Sequence, residues 1–322
     1  MTQIFAYIPF NNGAAEDVAL EFPSAAKKID ESASLTAVVV GSGADVDAVA
    51  NEMTSVYSEV IKINQADFAY PNAEVIRKAL VNVIPADAIF LVPHNTFGMD
   101  LAPGLSVKMD SSYAADIVDF EGIDGTALKA VRQELGGAVS THVTIDIASG
   151  AVISIRPGSF APVEGGAAGG SIIDKSGDAG DLSSKRKFLE LVAAEVGDVD
   201  ITKSDVLVSV GRGIEDEENI EIAQELAEAM KSVVSCSRPI VDAKWLEKSR
   251  QVGTSGQTVK PKVYMAMGIS GSFQHMGGVK GNPFIVAVNK NPKAPIFQVA
   301  DVGIVADILE FMPELTEAIN DL

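Results

Sequence analysis

One cysteine, one tryptophan and three histidines are spread over 322 residues, and each scarcity removes possibilities. A lone Cys236 rules out an internal disulfide and fits a reducing compartment. No apolar run approaches the ~20 residues that a bilayer-spanning helix needs, and stretches such as 201–210 are short and interrupted, so no membrane insertion is expected. The opening MTQIFAYIPF has no basic segment and no cleavage site before its first strand, which predicts no signal or transit peptide and a cytoplasmic protein. Positive charge is scarce too. Lys and Arg number 25 against 44 Asp and Glu, a net charge of −19, divided as 13 against 28 up to residue 200 and 12 against 16 beyond it. Nucleic acid is a poor partner for such a chain, because phosphate contacts need a basic face. The C-terminal part keeps enough cations to hold something anionic.

What is present is an ordinary globular balance, 47% hydrophobic and 21% charged. A length of 322 residues against ~150 per domain suggests two domains, 1–200 and 201–322. In the first, QIFAYIP, LTAVVVGSG, EVIKIN and AIFLVP alternate with helical stretches around 24–31, DVDAVANEMTSVY and 73–83. Strand and helix at this spacing predict a doubly wound α/β domain, a parallel sheet covered on both faces. HVTIDIA and AVISIRP, separated by Ser149-Gly150, read as a hairpin. The Gly/Ala/Ser/Asp stretch at about 157–185 reads as a flexible exposed loop, after which KFLELVAAEV resumes order. The second domain repeats the rhythm with DVLVSVG, a helix around 217–230, SVVSCS, KVYMAMG, FIVAVN, IFQVA and a last helix at about 302–311. A second parallel-sheet α/β domain is expected.

In this second domain the unusual residues follow the carboxyl ends of the strands. VLVSV runs into Gly211-Arg212-Gly213, SVVSCS into Ser237-Arg238-Pro239, and KVYMAM into Gly268 and the loop ISGSFQH. FIVAV leads to Asn289, and IFQVA to Asp301, with Asp307 six residues further on. Open parallel sheets bind ligands outside those ends. Glycines let backbone N–H groups approach phosphate, Arg offers a fork matched to pyrophosphate, and Asn and Asp can pair with adenine or ribose. An isoalloxazine ring would further want donors at its pyrimidine end, which His275 and Arg238 could supply. QVGTSG brings Thr254 and Ser255 on a glycine-flanked turn, with hydroxyls able to reach a ring nitrogen.

Each feature also has a plainer reading. A GRG is more often a turn than a phosphate site, roughly two to one, and a histidine after an apolar strand is usually structural. GSGADVDA lacks the third glycine of a dinucleotide fingerprint, Val46 standing there, and reads as a strand-to-helix turn. Glu215 to Glu218 complement a helix N-terminus rather than bind metal. Cys236 is a nucleophile candidate by rarity only, and a buried structural thiol is the better reading.

Taken together, VSVGRGIEDEENIEIAQELAEAM, SCSRPIVDAKWLEKSRQVGTSG, MGISGSFQHMGG and VNKNPKAPIFQVADVGIVAD resemble the α subunit of electron transfer flavoproteins; PHNTFGMDLAPGLS and ISIRPGSF match more loosely. The resemblance implies an N-terminal doubly wound domain, a C-terminal FAD-binding domain, and an obligate β-subunit partner that closes over both. It implies an electron carrier rather than an enzyme, taking electrons from a primary dehydrogenase and delivering them to a quinone reductase or another acceptor. Carried over by residue, Arg212, Ser237 and Arg238 would lie along the pyrophosphate and flavin. Gln251, Val252, Gly253 and Thr254 would form the turn that brings Ser255 to flavin N5. Gly268, Ser270, Gly271, Ser272, Phe273 and Gln274 would line the cofactor, and His275 would face the C2 carbonyl, with Gln274 and His275 aimed at the cofactor rather than the core. Asn289 and Asp307 would hold the adenosine end. Where the family often has Gln and Thr, this chain has Thr254 and Ser255, and where it commonly has Gly-Asn-Ala, this chain has Gly136-Gly137-Ala138.

Three other readings stand beside the carrier: a subunit of an electron-bifurcating, NADH-linked complex, a self-contained flavin or nicotinamide oxidoreductase, and a cofactor-free structural partner. Against the oxidoreductase, the converging edge offers no plausible acid and base pair, no metal cluster and no nucleophile set.

Overall fold

The computed structural model describes residues 2–137, 139–166, 169–186, 188–190 and 199–321. It divides into two compact units, Met1–Leu189 and Glu190–Leu322.

In the first unit the described strands are β1 (Gln3–Tyr7), a small hairpin of β2 (Phe10–Asn11) and β3 (Ala14–Ala15), β4 (Ser34–Gly41), β5 (Glu59–Asn64), β6 (Ile89–Pro93), β7 (Ser112–Asp124), β8 (Ala127–Glu134), β9 (Val139–Asp146), β10 (Ala151–Ile155) and β11 (Ser171–Asp174). Nine of them form one sheet in the order β11-β5-β4-β1-β6-β10-β7-β8-β9. Pairing is parallel from β11 to β7 and antiparallel through β7, β8 and β9. Successive side chains of a strand point to opposite faces, and β1 uses both. Ile4 and Ala6 join a core with helices α1 (Phe22–Ile29) and α2 (Ala44–Met53), while Phe5 and Tyr7 join another with α3 (Ala73–Val83) and α4 (Thr96–Met109). The expected doubly wound layering is therefore present.

The motifs of this unit turn out to be structural. In PHNTFG, the Asn95 side chain caps α4 by accepting from the Gly98 N–H, and a Cβ at Gly98 would sit 1.9 Å from the Pro93 carbonyl oxygen. In ISIRPGSF, Arg156 forms a two-pronged bond to Asp116 (2.8 and 2.6 Å), and the buried Glu21 carboxylate accepts from the Gly158 and Phe160 N–H groups. The turn of GSGADVDA is confirmed: Gly43, at φ +82°, precedes α2, and Val46 is buried against Gly41.

Two expectations fail here. HVTIDIA and AVISIRP are not a hairpin, because β9 pairs with β8 at the sheet edge whereas β10 inserts between β6 and β7. Every residue of β10 is buried, and a strand buried on both faces belongs in the middle of a parallel sheet. The stretch at 157–185 is not all loop, since Ser171–Asp174 adds β11 in parallel to β5, and Ala179 and Leu182 are buried. KFLELVAAEV lies largely outside the described residues, as does Ala138; Leu135–Gly137 form a single 3-10 turn.

The second unit holds β12 (Val206–Val210), β13 (Val233–Cys236), β14 (Val263–Met267), β15 (Phe284–Val288) and β16 (Val302–Ile304), all parallel, in the order β13-β12-β14-β15-β16. One face carries α5 (Ile220–Ala229) and α8 (Ile308–Asn320), which bury Ile220, Ala223, Leu226, Ile308 and Met312 on Val208, Val210, Met265 and Met267. The other face, with Leu207, Tyr264, Ala266 and Ala287, is roofed by Val252, Val259 and Ile296 from irregular segments. Among the described residues the two remaining α-helices, α6 (Arg238–Asp242) and α7 (Phe273–Met276), are one turn each.

IFQVA is a 3-10 turn (Pro295–Gln298) and no strand, and the last helix starts at 308 rather than 302. The β-branched run misled, because Val302–Ile304 makes the ladder to β15 and Asp307 then caps α8, accepting from Leu309 N–H.

The inserted β10 depends on Gly150, which has φ +79° and whose Cβ would lie 2.5 Å from the Ala86 carbonyl oxygen. Gly150→Ala should lower the unfolding free energy by about 1–3 kcal/mol, and the exposed neighbour change Ser149→Ala by under ~0.5 kcal/mol. Urea unfolding of both variants checks this; equal midpoints would refute the tight turn.

Candidate functional site

The order of the second sheet reverses between β12 and β14, the place where open α/β sheets leave a crevice. Three glycines meet there. Gly211 N–H donates to the Met267 carbonyl (2.8 Å) and Gly213 N–H to that of Gly268 (3.2 Å). A Cβ on Gly211 would stand 2.4 Å from the Gly268 carbonyl oxygen, and one on Gly268, at φ +65°, would stand 2.8 Å from the Gly213 Cα. No side chain fits, so the two loops leave the sheet in direct backbone contact and Arg212 is thrown outward, exposed.

The QVGTSG and ISGSFQHMGG segments interlock in the same way. Thr254 N–H donates to the Gln274 carbonyl (2.8 Å), and a Cβ on Gly278 would lie 2.4 Å from the Gly253 nitrogen. Gly271, at φ +81°, lies against the Ile296 backbone, where a Cβ would be 2.5 Å away, and Ile296 N–H donates to the Ser270 carbonyl (3.0 Å). The glycines of the loop are thus explained by chain crossing. The side chains of Thr254, Ser255, Ser270, Ser272, Phe273 and Gln274 remain exposed. Gln251 is buried and its Nε2 donates to Ser255 Oγ (2.9 Å), which leaves the serine hydrogen available outward.

His275 departs from the expectation that it points away from the core. It is 5% exposed, and its Nε2 lies 2.7 Å from the hydroxyl of the fully buried Tyr264, which lies 2.7 Å from Ser209 Oγ. Ser272 caps α7 by accepting from His275 N–H, turning the ring inward while Gln274 faces solvent. Burial pushes the imidazole pKa down to about 4, against a weaker upward pull from the Val252 carbonyl. His275 Nδ1 is buried and has no hydrogen-bond partner among the described residues. An orphan of this kind costs ~1–3 kcal/mol.

Other candidates gather at the same edge. Ser237 is buried, precedes α6, and donates its N–H to the Val210 carbonyl (3.0 Å). Arg238 is exposed and pairs with Asp242 at 3.4 Å. Lys290 bridges Glu215 (2.7 Å) and Asp307 (2.9 Å), tying the ends of β12, β15 and β16 together. That bridge holds the Asp307 carboxyl below its usual range, helped by the Leu309 N–H, and raises the Lys290 pKa. Glu215 is therefore spent on Lys290 and lies ahead of α5, whose first turn holds Glu221. Asn289 turns its amide to the backbone: Nδ2 donates to the Ile269 carbonyl (3.0 Å) and Oδ1 accepts from Asn291 N–H (2.9 Å). Asp301 is not at this edge. It accepts from Ile285 N–H (2.7 Å) near the amino end of β15. The Cys236 thiol is buried and pushed up to about 12, which suits a structural role.

Comparison with known proteins gives the family. Residues 5–179 match the electron transfer flavoprotein domain, and residues 200–280 match the electron transfer flavoprotein FAD-binding domain. The chain is 37% identical over 322 residues to the electron transfer flavoprotein subunit alpha of Methylophilus methylotrophus, covering 98% of each chain. It is 30% identical to that of Thermoanaerobacterium thermosaccharolyticum, covering 99% of this chain and 98% of the other. This chain belongs to the electron transfer flavoprotein alpha-subunit family. FAD is the cofactor of its second unit. The family's members are electron carriers, and an alpha subunit works with a beta subunit. A third relative is 32% identical over 251 residues, the LctC subunit of a lactate dehydrogenase (NAD(+),ferredoxin) from Acetobacterium woodii; the match covers 78% of this chain and 59% of that one. Among the described residues no helix is long and apolar enough to cross a membrane.

The buried imidazole makes a pH signature. With an unfolded pKa of ~6.5 and a folded value of about 4, only the unfolded chain takes up a proton between them. Stability should therefore fall as pH drops below ~6.5 and level off below ~4, losing up to ~3 kcal/mol. Urea unfolding followed by the single tryptophan, Trp245, at several pH values should show this component in the native chain and not in His275→Gln; superimposable pH profiles would refute it.

Proposed function

We propose that FAD lies along the carboxyl edge of the five-stranded sheet, that the chain forms an obligate heterodimer with its beta subunit, and that the pair shuttles electrons from a primary flavin dehydrogenase to a downstream acceptor such as a quinone reductase. The carrying observation is the switch point of the parallel sheet, where the Gly211, Gly213 and Gly268 backbones meet without side chains, since open parallel sheets bind ligands outside the carboxyl ends of their strands; the buried Nδ1 of His275, without a partner among the described residues, is consistent with it. The donor set also suits the group: two exposed guanidinium groups for a pyrophosphate, hydroxyls for ring nitrogens, and a neutral imidazole for a carbonyl. Bound FAD supplies the electron-accepting chemistry. Arg212, Ser237 and Arg238 would hold its phosphates and ring end by charge and hydrogen bonding. Ser255, anchored by Gln251, would offer its hydroxyl hydrogen to a ring nitrogen, and His275 would donate to a ring carbonyl. Asp307 would use its remaining lone pairs at the adenosine end, and Asn289 would act there chiefly by fixing the Ile269 carbonyl. A cytoplasmic location fits the single thiol.

The LctC relative supports a second reading, a bifurcating, NADH-linked complex. The full-length match to a carrier subunit favours the simple carrier. Co-purification with the beta subunit tests both: one FAD per heterodimer is expected, two would favour bifurcation, and a colourless heterodimer would overturn the assignment. FAD should be retained tightly in the heterodimer and poorly by this chain alone; a lone chain with full FAD occupancy would contradict the obligate pairing.

The roles separate by mutation. Asp307→Ala and Asn289→Ala should each weaken FAD binding several-fold, as loss of a hydrogen bond worth ~1 kcal/mol predicts, with the potential unmoved. Arg238→Ala should instead lower the one-electron potential by on the order of 100 mV, for a permanent cation ~4 Å from the ring at an effective dielectric of ~20, half screened. Redox titration and equilibrium dialysis decide, and weaker binding of Arg238→Ala at an unchanged potential would reduce Arg238 to a phosphate clamp.

A further inference from the structure

We propose that Tyr264, supported by Ser209, is a positioning residue that fixes the tautomer of His275, so that the ring presents a permanent Nδ1–H to the bound cofactor.

The three groups form a short buried line. Tyr264 on β14 and Ser209 on β12 project from the sheet face that the irregular loops cover, and the Tyr264 hydroxyl is 2.7 Å from both Ser209 Oγ and His275 Nε2. A phenol has one hydrogen, so it donates to one neighbour and accepts from the other. The acid–base character of the three groups chooses the direction. Imidazole nitrogen is a better acceptor than a serine oxygen and phenol a better donor than an alcohol, so the favoured chain runs from Ser209 to Tyr264 to Nε2. That leaves Nε2 bare and puts the imidazole hydrogen on Nδ1, the atom that has no partner among the described residues. Tyr264 has no exposed surface, and neither it nor Ser209 is free to turn away. The reverse tautomer would turn Nδ1 into an acceptor and remove the donor that a cofactor carbonyl requires.

The inference rests on the FAD reading, but its first readout does not. Imidazole 15N NMR on the heterodimer labelled in histidine, recorded with FAD and again after its removal, should show His275 as the Nδ1–H form. Tyr264→Phe, which keeps the ring and removes the hydroxyl, should give a mixture of both tautomers. An even mixture halves the competent population and raises the Kd for FAD about twofold. A predominant Nε2–H form in the native protein overturns the proposal, whether or not the variant folds, and so does an unchanged tautomer in Tyr264→Phe. Failure of the heterodimer to hold FAD would sink the cofactor reading while leaving the tautomer measurement intact.

Discussion

The second unit depends on a contact in which no side chain takes part. The backbone of Gly268 occupies the space that a Cβ on Gly211 or Gly213 would need, so the ends of two neighbouring strands cross in touch. The Lys290 bridge from Glu215 to Asp307 then gathers the outer strand ends to the same edge. It is solvent-exposed, so its importance lies in where it holds the chain rather than in its strength. The contact also sets the spacing of the loops carrying Arg212 and Ser270, whose side chains stay in solvent.

Much of this could be read in the chain, and the reasons for the gaps are specific. Strands such as FIVAV and VLVSV coincide with β15 and β12 because their apolar runs end abruptly in Asn, Gly and Arg. IFQVA carried the same composition and makes no strand, because local β-propensity says little about which segment finds a partner ladder. The insertion of β10 between β6 and β7 is a non-local choice that Ser149-Gly150, with its hairpin appearance, concealed. In the site, the glycines announced themselves, but their role as crossing points required the fold. Tyr264 gave no sign at all, since a tyrosine amid Val, Met and Ala in a strand reads as core, and its hydroxyl matters only once Ser209 and His275 are brought to it. The inward turn of His275 was likewise hidden in the one-turn helix α7.

The two units divide the electrostatics unequally. Most of the acidic excess lies before residue 200, while exposed Arg212 and Arg238 sit in the second unit. An acidic surface favours solubility and keeps polyanions at a distance, and local cations beside glycine backbone can still bind a small anionic group. Net charge and site charge answer different demands in one chain.

The five-stranded sheet is roofed on one face by the same irregular segments that hold Thr254, Ser255 and Ser270, with Val252, Val259 and Ile296 closing its core. Ordering those segments and sealing that core are one thermodynamic event. A ligand that binds the ordered loops raises the stability of the whole unit through mass action. Protein with its ligand in place should therefore open, and be cut by proteases, less readily than empty protein.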